Sequence, residues 1–188
     1  IKHSPFAEGV CGVQVTVRHE TWPLAQEFRI SRGAKTAAEV VVVEIRAGDL
    51  LGRGECVPYA RYGETVASVL SAIEAVRPQL EAGLSPEALK HLMPPGAARN
   101  AVDCALWDFV AKQEHKPVWE LAGLPAPTPR LTAFTISLDE PEAMAAAAAA
   151  VPARPLLKCK IGGPGDMPRI EAVAAARPDA ALILDANE

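Results

Sequence analysis

The sequence predicts two fold classes in succession along one chain of 188 residues: an α+β region, then an alternating α/β region with a parallel sheet. Three observations carry this. Period-two alternation and a hairpin turn dominate the first third. Helical periodicity fills the middle. After a proline-rich stretch, near-continuous apolar strands alternate with helices, the pattern of a sheet covered on its faces.

In the first region "GVQVTVRHE" alternates Val13, Val15 and Val17 with polar residues and reads as a half-buried strand. The stretch "WPLAQEFRISRGAKT", residues 22–36, is polar and irregular and reads as a loop. "AEVVVVEIR" and "LLGRGECV" flank "AGD", so residues 12–57 are expected to form a three-stranded antiparallel meander. "ETVASVLSAIEAV" sets Val66, Val69, Leu70, Ile73 and Val76 on one helical face, and Pro78 is expected to end or kink that helix. "SPEALKHLM" opens on Ser85 as N-cap, with Pro86 at the first helical position. "GAARNAVDCALWDFVAKQEH" is the strongest helix, its stripe formed by Ala98, Val102, Ala105, Leu106, Phe109 and Val110. Arg99 and Asp103 are spaced to pair on its surface. Asn100, Asp103 and Trp107 share a face, where capping or packing explains them better than chemistry.

"LPAPTPR" reads as a linker. It divides an N-terminal α+β domain (1–124) from a second domain (131–188), with 125–130 between them. The second region runs strand "TAFTISL", an Ala-rich helix from Pro141 to Val151, strand "PLLKCKI", helix "DMPRIEAVAAARP" and strand "AALILDANE".

Composition bounds the function. With 49% hydrophobic and 22% charged residues the chain can build a real core. A net charge of −4 and a pI near 5.6 argue against nucleic acid or an anionic membrane as partners. No apolar run approaches a transmembrane span and no secretory pattern opens the sequence, which sets a cytoplasmic expectation. The chain opens on Ile1, so the natural start is expected upstream. Cysteines at 11, 56, 104 and 159 have no metal-site or redox spacing, and reduced, mostly buried thiols are expected. The histidines at 3, 19, 91 and 115 are equally scattered.

The chemistry lies in "LLKCKIGG". Alternation along a strand puts Lys158 and Lys160 on one face and Cys159 on the other. In a parallel α/β sheet, residues at the C-terminal ends of strands form the active site. Both lysines sit there, and Asp185 occupies that end of the next strand after one helical crossover. A carboxylate ending a buried strand needs a cation or a donor, and a hard ion such as Mg²⁺ suits its oxygens. Two ammonium groups about 6 Å apart, at an effective dielectric near 20, repel by roughly 3 kcal/mol. That is about two pKa units, enough to make one lysine a general base near neutral pH.

These residues, with "WPL", "FRISRG", "GRGECVPYARYGET", "GAARNAVDCALWD", "TAFTISL" and "LILDANE", resemble the enolase superfamily over the whole length of the chain. The Lys-x-Lys and the strand-ending Asp mark the muconate lactonizing enzyme subgroup, and "ISRG" with "ECVPYARYGE" is most similar to the L-Ala-D/L-Glu dipeptide epimerases. A lysine base with Mg²⁺ is that superfamily's pattern. The resemblance implies an α+β capping domain followed by the first three βα units of a TIM-like (β/α) barrel, truncated at Glu188. It implies Lys160 as the residue that moves the α-proton, Lys158 as its tuning neighbour and Asp185 as the first of three carboxylates that bind Mg²⁺. Asn187 of the same motif is given a local hydrogen-bonding role. Loops at roughly 22–36 and 56–65 would select a small-molecule dipeptide derived from cell wall peptide, through Arg32, Tyr59, Arg61 and Tyr62. A homo-oligomer is compatible with this reading.

The remaining metal ligands and an opposing lysine would lie beyond Glu188. A closed barrel alone takes about 250 residues, so the whole protein is expected to exceed about 300. Muconate cycloisomerase and o-succinylbenzoate synthase share the Lys-x-Lys and the Asp. From another class, "GGPG" at 162–165 could be an anion-binding turn of a phosphate or nucleotide module, although Pro164 removes one N–H. A non-catalytic protein on the same scaffold is the third alternative.

Overall fold

The computed structural model describes residues 12–30 and 33–186. Two compact units emerge: the residues through Trp22 with Ala38–Pro127, and Pro23–Ala37 with Thr128–Glu188.

Three strands build the first sheet, β1 (Gln14–Ile30), the valine-rich β2 (Gly33–Ala47) and β3 (Leu50–Cys56), hydrogen-bonded in that order. The β2–β3 ladder is antiparallel from Ala47↔Leu50 at the turn to Val41↔Cys56. Residues 22–36 are not a loop: their described part continues both strands of a long hairpin. The reason is a period-two pattern hidden among polar neighbours, since Trp22, Leu24 and Phe28 fall on alternate positions. Pro23 is tolerated because β1 is an edge strand, where a missing N–H breaks no ladder bond. Cross-strand contacts of Arg18 with Glu44, and of His19 and Thr21 with Glu39, hold β1 on β2.

Helices α1 (Val66–Glu81), α2 (Pro86–Leu92), α3 (Ala97–Gln113) and α4 (Val118–Leu121) complete this unit. Thr65 and Ser68 form a capping box on α1, and Ser85 caps α2 through the Ala88 N–H at 3.1 Å. Pro78 does not stop α1, which runs one turn past it to Glu81. So near the C-terminus proline forfeits a single ladder bond, and fully buried Leu80 holds the last turn against the core. That core joins Val41, Val43 and Ile45 of β2 to Val69, Ile73 and Leu80 of α1 and to Val102, Leu106 and Phe109 of α3. Among the described residues Arg99 and Asp103 form no ion pair. Arg99 donates instead to the Met93 carbonyl at 3.4 Å, while Asp103 turns inward with its Oδ1 buried and without a hydrogen-bond partner. Burial pushes the Asp103 carboxyl up. Asn100 donates to the Glu55 carbonyl at 3.3 Å, a packing role.

The second unit has β4 (Phe134–Ile136), α5 (Pro141–Ala149), β5 (Leu156–Lys160), α6 (Asp166–Ala176) and β6 (Ala181–Asp185), with β4 less than half the length of "TAFTISL". The strands form a parallel sheet in the order β4-β5-β6, with Phe134↔Leu157 and Lys160↔Asp185 in register. Ile136, Leu157 and Cys159 pack on Met144 and Ala148 of α5 and Val173 of α6. Past the end of β4, the Leu138 N–H donates to the Arg29 carbonyl of β1 at 3.2 Å. None of the described helices is long and apolar enough to cross a membrane.

Arg177, just after α6, is buried and was not signalled by any sequence pattern. Its guanidinium donates to the carbonyls of Val151 (2.7 Å) and Arg154 (3.0 Å) beyond the end of α5 and pairs with Asp179 at 2.8 Å. Arg177→Met is therefore expected to lower the thermal midpoint by several degrees, because these carbonyls lose their donor. Asp179→Ala, which leaves those bonds in place, should lower it far less. Equal midpoints for Arg177→Met and the unmodified protein in a calorimetric scan would refute this role.

Candidate active site

Alternation along β5 decides the site. Leu157 and Cys159 face the helices, so Lys158 and Lys160 share the opposite face. Parallel register with β6 then sets Asp185 beside Lys160, and the Ile161 N–H donates to the Asp185 carbonyl at 3.1 Å. The Asp185 Oδ2 accepts a hydrogen bond from Lys160 Nζ at 2.6 Å and forms an ion pair with Lys158 Nζ at 2.7 Å. The Lys160 side chain is 11% exposed and that of Lys158 36%, so the first is the sheltered amine and the second the half-open one.

One expectation needs correction here. The two ammonium groups do not face each other bare: a shared carboxylate lies against both and offsets the repulsion on which the general-base argument drew. The three groups form a charge-assisted cluster at the C-terminal edge of the sheet.

The loop after β5 disposes of the anion-binding alternative. The Gly162 and Gly163 N–H groups already point at a carboxylate of this chain, donating to Asp166 at 3.0 and 2.8 Å. Those donors hold the Asp166 carboxyl below its usual range. Arg169 fixes the arrangement, lying 3.5 Å from Asp166 Oδ1 and donating to the Asp139 carbonyl at 2.7 Å. The "GGPG" turn is thus internally satisfied. Asp166, one residue past the last glycine, is a group the sequence reading passed over; an acidic residue in a helix's first turn was its signal.

The substrate-loop candidates divide. Tyr59, Arg61 and Tyr62 belong to the first unit, where a 3-10 turn at Ala60–Tyr62 ends on left-handed Gly63. Tyr62 is 75% exposed, and its ring lies 5.7 Å from that of Tyr59. Arg32 and Asn187 lie outside the described residues, as does Cys11. Cys56 and Cys159 are buried and Cys104 exposed; burial pushes the Cys56 thiol up to about 11, which marks an inert thiol.

Among the described residues no cluster of three or more metal-ligating side chains occurs. Asp185 is a hard oxygen donor of the kind a divalent ion takes, and it fits as one ligand of a larger set.

Residues 12–123 match the mandelate racemase / muconate lactonizing enzyme N-terminal domain. Over 176 residues the chain is 45% identical to the L-Ala-D/L-Glu epimerase of Escherichia coli K12, covering 93% of this chain and 55% of that protein. Over 151 residues it is 38% identical to an N-acetyl-D-glutamate racemase of a Pseudoalteromonas species, covering 79% and 48%. Among solved structures, an enolase family member from Agrobacterium tumefaciens with homology to dipeptide epimerases, holding sodium and L-Ala-L-Glu, superimposes with a TM-score of 0.86 at 49% identity. That match covers 93% of this chain and 53% of the other. A dipeptide epimerase from Enterococcus faecalis V583, complexed with Mg and L-Leu-L-Tyr, gives 0.82 at 31% identity, covering 94% and 54%. The chain spans about half the length of the curated relatives it matches.

Proposed function

Because the chain belongs to the mandelate racemase / muconate lactonizing enzyme family of the enolase superfamily, we propose that it carries one half of the active site of a metal-dependent dipeptide epimerase of L-Ala-D/L-Glu type. The observation that carries this is the Lys158–Asp185–Lys160 cluster at the C-terminal edge of a parallel sheet. In this reading residues 1–124 are the capping domain, 125–130 the linker and 131–188 the first three βα units of a (β/α) barrel. The half-exposed Ile183 and Leu184 of edge strand β6 support a further strand beside it.

The chemistry follows from what each side chain can hold. Lys160 takes the α-proton of the substrate's second residue on its amine nitrogen: the C–H bond breaks, an N–H bond forms, and the electron pair moves into the adjacent carboxylate as an enolate. A different proton, delivered to the opposite face by a second acid outside the residues described, yields the other epimer. Lys158 is proposed to face that developing oxyanion, and it shares Asp185 with Lys160, which fixes both amines. Asp185 is this chain's ligand for a divalent ion such as Mg²⁺, which when bound supplies further positive charge to the enolate. Arg32, Tyr59, Arg61 and Tyr62 are proposed to contact the dipeptide, with Arg32 reading a glutamate carboxylate.

The test is proton exchange. The intact protein incubated with Mg²⁺ and L-Ala-L-Glu in D₂O should replace the glutamyl α-proton with deuterium and form L-Ala-D-Glu. The Pseudoalteromonas relative favours a second reading, racemisation of an N-acylated glutamate, because both named activities share a glutamyl α-carbon. Faster exchange of N-acetylglutamate than of the dipeptide would select it, and exchange of neither would reject both. Asp185→Asn is expected to lower kcat/KM at least about 100-fold. In calorimetry it should also weaken Mg²⁺ binding; binding of undiminished strength would remove Asp185 from the ligand set.

A further inference from the structure

We infer that Glu64 is a positioning residue for substrate selection: its carboxylate clasps the tyrosine-bearing turn 57–63 to the start of α3. This rests on the proposal that Tyr59 and Tyr62 meet the substrate. The geometry is specific. Glu64 Oε2 accepts from the Tyr59 N–H at 3.1 Å, while the Glu64 N–H donates back to the Tyr59 carbonyl at 3.4 Å. The turn is therefore closed at both backbone groups of Tyr59 by one residue. Oε1 accepts from the Ala97 N–H at 2.6 Å, the first helical residue of α3. A carboxylate on that helix N-terminus satisfies an otherwise orphaned donor and complements the helix dipole.

Gly96 completes the arrangement. A Cβ at this position would lie 2.9 Å from Glu64 Oε1, so an alanine here would push the carboxylate from its seat. Tyr59, Tyr62, Glu64, Gly96 and Asn100 line one concave surface of about 530 Å³. α3 is anchored through Val102, Leu106 and Phe109, none of them exposed to solvent. The clasp thus references an exposed turn to a helix whose inner face is fully buried. A loop that selects substrate must be held within about half an ångström of its productive geometry, and one carboxylate here serves both the loop and its anchor.

Two variants of the intact protein test this. Glu64→Gln keeps the shape but turns an N–H₂ towards one of the two N–H donors, and Gly96→Ala displaces the carboxylate without altering it. Each is expected to speed hydrogen exchange at the Tyr59 and Ala97 amides about tenfold or more. Each should raise KM for L-Ala-L-Glu at least about fivefold while kcat stays within about threefold, since binding geometry and not proton transfer is disturbed. Unchanged amide exchange in both variants would overturn the clasp. Faster exchange with KM unchanged would overturn its role in selection and leave a helix cap. A fall in kcat at constant KM would place Glu64 in the chemistry and likewise overturn the inference. Absence of α-proton exchange in the unmodified protein would instead sink the epimerase reading and the selection role with it, and the amide rates would still decide the clasp.

Discussion

Lys160→Ala in the intact protein is expected to abolish deuterium incorporation from one face of the glutamyl α-carbon, lowering epimerisation by about 10²–10⁴-fold. The size of the effect follows from position. Lys160 is the more sheltered amine of the cluster, its side chain 11% exposed, and it stands directly across from Asp185 in the ladder. Alanine removes the proposed proton acceptor and also takes away the 2.6 Å lysine contact to Asp185. Lys158→Ala leaves the acceptor in place, so exchange should persist at a reduced rate. The single-face signature is the discriminating readout: starting from L-Ala-D-Glu and from L-Ala-L-Glu in separate experiments, only one direction should lose exchange completely, because the acid on the other face is untouched. Full exchange from both epimers in Lys160→Ala would remove it as the base, and equal losses in Lys158→Ala and Lys160→Ala would mean the two lysines act only as a charge pair.

The convergence of Lys158, Lys160 and Asp185 at one end of the parallel sheet was legible in the sequence. It needed only the two-residue period of a strand and the length of one helical crossover. Ser85 advertised a helix start through cap chemistry, whereas the Thr65 cap of α1 was not read from the sequence. What stayed hidden depends on partners distant in sequence. The hairpin arms around residues 22–36 looked irregular because Pro23 and scattered charges mask the alternation of Trp22, Leu24 and Phe28. Arg99 and Asp103 had helical spacing for a pair, yet Met93 drew one away and burial took the other. The Glu64 clasp and the Arg177 anchor join backbone groups 33 and 26 residues away, contacts that no local pattern encodes.

Gly54→Ala is expected to destabilise the first unit by about 3 kcal/mol or more, at the upper end of overpacking effects. The reason lies in how closely α3 approaches β3. A Cβ at Gly54 would sit 2.1 Å from the Ala101 carbonyl oxygen and 2.6 Å from the Ala105 nitrogen, and one at Gly52 would sit 2.3 Å from the Ala105 oxygen. Two strand residues rise about 6.8 Å and four helix residues about 6 Å, so glycines two apart match helix positions four apart. The helix thereby rests its own backbone on the strand, with Ala101 and Ala105 as the small residues between them. These obstacles are backbone atoms, which cannot rotate aside as a side-chain tip would, so the helix must move and its buried Val102, Leu106 and Phe109 move with it. Gly48→Ala is the control: nothing lies within 4 Å of a Cβ there, and its cost is the backbone strain of a φ of 57°, about 1 kcal/mol. Denaturant titration of the three proteins separates the effects. A Gly54→Ala loss no larger than that of Gly48→Ala would mean that the helix yields easily, and the close approach would then not be what fixes α3 on the sheet.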